Sequence, residues 1–258
     1  MIMSRQAREI SRTGLYHIIF RGINRQNIFE DERDYEKFLE IIRETKEKIE
    51  FKIYAYCLMS NHAHIFVGEE SIGDISTIMQ RILTKYAGWY NKKYQRSGSL
   101  FGNRFKSQSV ERDSHLLSLV RYIHQNPLKA GIVDELSQYE WSSYNQYIGK
   151  CNGNIIDTNY ILEMLSENRE IAKDTFVEFH KENEIEVFEI GDSRKKTNEE
   201  IRRIIIKMLN GEEPHIIGTM PKNKRNEIIK KLIEQEGFSI REIERATGIS
   251  RGVISRIK

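Results

Sequence analysis

Cysteine is nearly absent. Cys57 and Cys151 are too few for a disulfide framework and lack the clustered spacing of a zinc site. Proline is as scarce, with three residues, and the 16 glycines are scattered, which excludes a fibrous or linker-rich chain. No run of about 18 apolar residues occurs, and residues 1–12 lack the apolar centre of a signal sequence. The expectation is a cytoplasmic protein with no membrane partner. Internal repeats, low-complexity tracts and an HExxH metalloprotease motif are also missing. What remains is 39% hydrophobic and 31% charged, with 12 Tyr, 11 Phe and 2 Trp. That is a globular composition, since disordered chains have few aromatics. A length of 258 residues suits one full-sized domain and a smaller one.

The net charge of +3 is a cancellation. Residues 1–150 carry 22 Lys and Arg against 18 Asp and Glu, residues 151–190 carry 3 against 10, and residues 191–258 carry 16 against 10. Two basic blocks flank an acidic stretch. Within the first block, residues 81–129 hold ten basic side chains against Glu111 and Asp113, a local +8 that suits either a polyanion or a solvated face.

Aromatic and β-branched residues make 15–21 a strand ending at Gly22. From Asp31, Tyr35, Phe38, Leu39, Ile41, Ile42 and Ile49 recur at helical spacing. Strands are expected at 51–58 and 62–67, joined by a turn at Ser60 and Asn61, then a helix at 75–94, a strand at 105–110 and a helix at 114–125 halted by Pro127. The order predicts an α+β domain whose antiparallel sheet is covered by helices on one face, over residues 1–150. Residues 151–196 read as an acidic helical connector and 197–258 as all helix.

Three segments carry chemistry. In a strand, His62 and His64 project together while Ala63, Ile65 and Val67 face the core. Two imidazoles on a rigid strand are either a pair of metal ligands or surface histidines of a hairpin, and no third strong ligand stands nearby. On the helix, Leu116, Leu119, Val120 and Ile123 form a buried stripe, with His115, Ser118, Tyr122 and Asn126 along another side. Tyr122 and Asn126, one turn apart, can bring a phenol nucleophile and a metal-binding amide oxygen to one ligand, or can serve packing. Residues 239–257 look like a helix-turn-helix. Gly248 falls in the turn, Ser250 caps the second helix, and Ile243, Ile249, Ile254 and Ile257 form the core, leaving Arg251, Ser255 and Arg256 to face duplex DNA. Glu244 stands where such motifs have a small residue, and a helical hairpin packed on the first domain is the alternative.

Residues 16–25 (YHIIFRGINR), 54–64 (YAYCLMSNHAH), 98–107 (GSLFGNRFKS), 121–131 (RYIHQNPLKAG) and 141–144 (WSSY) together resemble the REP-associated tyrosine transposases, within the single-tyrosine HUH transposases. The resemblance runs from residue 10 to about 148 in order and spacing. Ser60 replaces a frequent Pro or Gly, and Asn126 stands where some relatives have Gln. The resemblance implies a ferredoxin-like nuclease domain in which His62 and His64, with Asn126, hold Mg2+ or Mn2+ at a single-stranded DNA phosphate. Tyr122 would form a 5′-phosphotyrosine link and release a 3′-hydroxyl, and the substrate would be hairpin repeat DNA. Arg12, Arg21, Arg25, Arg104 and Lys106 are candidate phosphate contacts. The alternatives are a DNA-binding regulator with an inactive nuclease site and a metal-dependent phosphodiesterase using water. The oligomeric state is left open.

Overall fold

The computed structural model describes residues 10–71, 73–111, 113–150, 155–182, 188, 198–209, 211–234, 238 and 240–257. Cys151 and Ser239 lie outside the described residues. The chain divides into two units, residues 1–190 and 191–258.

The first unit runs Leu15–Arg21 (β1), Glu32–Lys46 (α1), Phe51–Met59 (β2), His62–Glu69 (β3), Ile75–Lys93 (α2) and Lys106–Ser109 (β4). The strands assemble in the order β2-β3-β1-β4 with every pairing antiparallel, the βαββαβ arrangement expected of a ferredoxin-like domain. At the start of α1, Asp34 Oδ2 accepts from the backbone N–H groups of Glu30 and Asp31, occupying donors a helix cannot satisfy itself. The apolar stripe of α1 (Phe38, Ile41, Ile42) and that of α2 (Ile78, Met79, Ile82) bury against Ile18, Phe20, Ile65 and Val67 of the sheet.

Helices do not cover one face alone, as the sequence led us to expect. Asp113–Lys129 (α3) lies on the opposite face, with Leu116, Leu119, Val120 and Ile123 packed among Leu15, Ala55, Cys57 and Phe66. β1, β2 and β3 are buried on both sides, so both faces are covered. Nor does Pro127 halt α3, which runs through it to Lys129. The helix ends at Gly131, whose φ of +65° suits glycine. There Ile132 N–H reaches Pro127 O and Gly131 N–H reaches Leu128 O, the paired bonds of a Schellman stop.

Tyr144–Tyr147 (α4), Thr158–Glu163 (α5) and Arg169–Lys181 (α6) complete the first unit. Asn168 caps α6 by accepting from Glu170 N–H and Ile171 N–H. Ile161, Leu162, Ala172 and Phe176 join the core beneath α3, so within the acidic stretch α5 and α6 pack onto the sheet-and-helix fold.

The second unit contains Asn198–Met208 (α7), Lys222–Glu234 (α8), Ile240–Thr247 (α9) and Arg251–Ser255 (α10), with a 3-10 turn at Pro214–Thr219. Its core includes Ile201, Ile205, Ile217, Leu232, Ile243, Ile249 and Ile254, with Ile257 at the margin. Gly248 turns the chain between α9 and α10 at φ +75°. Ser250 stands at the start of α10, but its side chain makes no capping bond; its carbonyl instead accepts from Val253 and Ile254. Glu244 is paired with Arg251 on the partly exposed side of α9, which explains why a large charged residue is tolerated there.

Candidate active site

The pairing of β1 with β3 sets Arg21 opposite His62, Ile19 opposite His64 and His17 opposite Phe66. Opposed residues share a face, so His17, Arg21, His62 and His64 all point toward α3, while Ala63, Ile65 and Val67 join the α1 and α2 side. Lys106 of β4, opposite Ile19, points to the same face.

Hydrogen bonds decide which ring nitrogens face outward. His62 Nδ1 donates to Asn61 Oδ1 at 2.6 Å, so its Nε2 keeps a lone pair. His64 Nδ1 lies 3.0 Å from His17 Nε2, which leaves Nε2 as the nitrogen of His64 without a protein hydrogen bond among the described residues. Burial, with Arg21's positive charge second, brings His62 down to about 4. Burial brings His17 down to about 3. His64 lies well below its ordinary value through burial and then through His17, His62 and Arg21. The rings are therefore neutral at pH 7, the form a metal ligand must have.

Tyr122, buried on α3, meets the His64 ring edge-on with centroids 5.6 Å apart, and the His17 ring at 6.0 Å. Phe188 packs against the Tyr122 ring at 5.4 Å, and Lys129 Nζ lies 4.8 Å from its centroid. Asn126, one turn beyond Tyr122, is half-buried; its Nδ2 donates to Tyr122 O at 2.8 Å and to Ile123 O at 3.4 Å. The second bond helps satisfy the carbonyl that Pro127 cannot reach.

The position of α3 is fixed by a clasp on α6. Arg121 donates to Phe179 O and Glu182 and stacks 4.0 Å from the Phe179 ring centroid, while Gln125, one turn on, donates to His180 O and Glu182 O. These are carbonyls at and just past the helix end, which have no intrahelical partner. Between them runs a buried chain of bonds. Tyr56 N–H donates to Ser143 Oγ (2.9 Å), Ser143 O–H to His124 Nε2 (2.7 Å), His124 Nδ1–H to His180 Nε2 (3.0 Å) and His180 Nδ1–H to Phe176 O (2.8 Å). A carbonyl only accepts, and that fixes every direction upstream. Burial holds His180 at about 3 and His124 well below its ordinary value.

The basic residues divide by position. Gly22 N–H bonds Asn61 O, Ile23 N–H bonds Leu100 O, and Gly102 N–H bonds Arg21 O, so the loops carrying Arg25 and Arg104 converge on the end of the sheet where His62 sits. Gly22 is required there because a Cβ would meet Gln26 O at 2.2 Å. Asn24 and Arg25 both hold left-handed backbone, φ 52° and 61°, strain that concentrates at functional loops. Arg12 lies elsewhere: it precedes Leu15, whose partner Gly68 is at the far end of β3. Arg251, Ser255 and Arg256 are exposed on the second unit.

Sequence reasoning missed His17, Lys129, Phe188 and the Arg121, His124 and Gln125 clasp. Lys129 continues the Tyr122 and Asn126 face at helical spacing and was visible in principle; His17 needed the strand register. Among the described residues no three His, Cys, Asp or Glu converge as a metal group, so the donors at hand are the His62 and His64 Nε2 atoms, with the Asn126 amide oxygen as the third that the sequence suggests. No described helix is long and apolar enough to cross a membrane.

Several known proteins are similar to this chain. Residues 11–126 match the family described as IS200-like transposases. A Haemophilus influenzae protein named as a REP-associated tyrosine transposase is 26% identical over 156 residues, spanning 56% of this chain and 87% of that relative. A solved REP-associated tyrosine transposase bound to a REP hairpin has a TM-score of 0.49 at 20% identity, covering 60% of this chain and 94% of its own. A solved Deinococcus radiodurans protein named as a transposase has a TM-score of 0.33 at 16% identity, covering 45% and 90%. Over residues 11–126, the chain is similar to the IS200-like transposases.

Proposed function

We propose that the protein cleaves and rejoins single-stranded DNA through Tyr122. The observation that carries this reading is the edge-on contact of Tyr122 with His64, at 5.6 Å, on a face where two neutral imidazoles and Arg21 sit together. Tyr122 Oη attacks the scissile phosphorus; the P–Oη bond forms as the P–O3′ bond breaks, and the phenolic proton is lost while the leaving oxygen gains one. The products are a 5′-phosphotyrosine and a free 3′-hydroxyl. Attack by another 3′-hydroxyl reverses the step and joins strands without a nucleotide cofactor. His62 and His64, through Nε2, and Asn126, through its oxygen, would hold a divalent cation. A cation there polarises the phosphate and stabilises the leaving oxygen. Two nitrogen donors fit Mn2+ more closely than Mg2+, which prefers an all-oxygen shell.

Arg21, Arg25, Arg104 and Lys106 would neutralise the strand's phosphates at the His62 end of the sheet. Arg12 is set apart from this group by its position. The substrate is taken to be repeat hairpin DNA, in keeping with the sequence resemblance and with the name of the Haemophilus influenzae relative. Arg251, Ser255 and Arg256 would contact duplex DNA from the second unit, and the reaction would take place in the cytoplasm. Incubating 5′- and 3′-labelled hairpin oligonucleotides with Mn2+ or Mg2+ should yield a covalent protein–DNA adduct that Tyr122→Phe abolishes. An adduct that survives the substitution, or a free 5′-phosphate with no adduct, removes the tyrosine mechanism.

A further inference from the structure

His17 and His64 are joined by one hydrogen bond, and the side from which its proton comes decides whether His64 can bind a cation. With the two nitrogens 3.0 Å apart, either Nδ1–H of His64 donates to His17 Nε2, or His17 Nε2–H donates to His64 Nδ1. In the second form a neutral His64 carries its proton on Nε2 and spends its lone pair on His17. In the first, Nε2 of His64 presents the lone pair. His17 then carries its own proton on Nδ1, a buried atom with no hydrogen-bond partner among the described residues. The His17 ring is 1% exposed, stacked on His64 at 5.2 Å and 21°, and met edge-on by Tyr122. It is walled in by the groups whose geometry matters.

We propose that His17 is a positioning residue that accepts the Nδ1 proton of His64, locking His64 in the tautomer and ring orientation that present Nε2 to a cation. The inference rests on the metal role proposed for His62 and His64. It also accounts for the unpaired Nδ1: an acceptor at Nε2 in a neutral ring obliges the proton to sit on that atom. His62 is held in the matching tautomer by Asn61, so each ring has its own outer partner.

Two measurements test it, neither depending on DNA cleavage. In histidine-15N-labelled protein loaded with diamagnetic Zn2+, long-range 1H–15N correlations should show His64 protonated at Nδ1 and His17 unprotonated at Nε2; the reverse pattern overturns the proposal. By electron paramagnetic resonance of free Mn2+, His17→Leu should weaken binding 10–100-fold. His17→Gln, whose amide oxygen accepts the same proton, should restore most of it. Wild-type affinity in His17→Leu, or equal loss in both variants, overturns the positioning role. His64→Ala separates the two readings. If it loses Mn2+ while His17→Leu keeps it, the metal site stands and His17 has no part in it; if it leaves Mn2+ affinity unchanged, the metal site itself fails. Should His17→Leu not fold, the spectrum of the labelled wild type decides.

Discussion

Two buried histidine pairs lie in the first unit, each with a 3.0 Å bond between rings. In His124–His180 all four ring nitrogens have partners, ending on Ser143 and the Phe176 carbonyl. In His17–His64 the bond between the rings is the single hydrogen bond of either ring among the described residues, and His64 Nε2 and His17 Nδ1 are left over. Burial and residue type are the same; what differs is whether the chain of bonds is closed. A closed chain ties α3 to β2 and α6 and has nothing left to offer a ligand. An open one reserves a lone pair at the place where Tyr122 meets the sheet.

The contrast breaks most visibly at His124. His124→Leu leaves His180 Nε2 unpaired in the interior and Ser143 O–H with only its 3.3 Å bond to Tyr56 O, and should cost about 2–4 kcal/mol in urea unfolding. Mn2+ affinity of the folded protein should stay at the wild-type value, and a parallel loss of Mn2+ binding would erase the distinction between the pairs. Acid acts on both. Free imidazole in the unfolded chain titrates near 6.5, whereas His17 and His180 fall to about 3 and His62 to about 4. Between those limits the unfolded chain binds more protons than the fold, so stability is complete above about pH 6.5 and declines as pH falls toward about 3. Urea midpoints at pH 7.5, 6 and 5 should decrease in that order. Mn2+ affinity should stay nearly flat from pH 7.5 to about 5, because protons compete for His62 only near about 4. A tenfold fall by pH 6 would show an ordinary, exposed pair. The smallest effect belongs to Ser143→Ala, which leaves Tyr56 N–H and His124 Nε2 to find other partners. About 1–2 kcal/mol of stability should be lost, with DNA adduct formation by the folded protein unchanged.

Much of this was legible in the sequence. The alternation around His62 and His64, the buried stripe of α3 and the isoleucines of the second unit are periodicity signals, and each element formed close to where its pattern lay. The rest depended on contacts distant in sequence. His17 is an unremarkable strand residue until β1 and β3 are set in register. The clasp on α6 hides in an acidic stretch because Arg121 and Gln125 engage mainly its backbone carbonyls, which no composition reveals. Pro127 misled because the helix is repaired locally by an Asn126 side chain and stopped four residues later by Gly131.

That repair also fixes the handedness of a small group. Turning the amide of Asn126 over would place its oxygen against both the Tyr122 carbonyl and the Ile123 carbonyl that Pro127 leaves without a donor, so a ring-locked residue with no N–H helps order its neighbour's two ends. An aspartate of nearly the same shape has no end that can donate, and would be repelled from the position. The choice of a neutral amide at 126 is thus written into the proline that follows it.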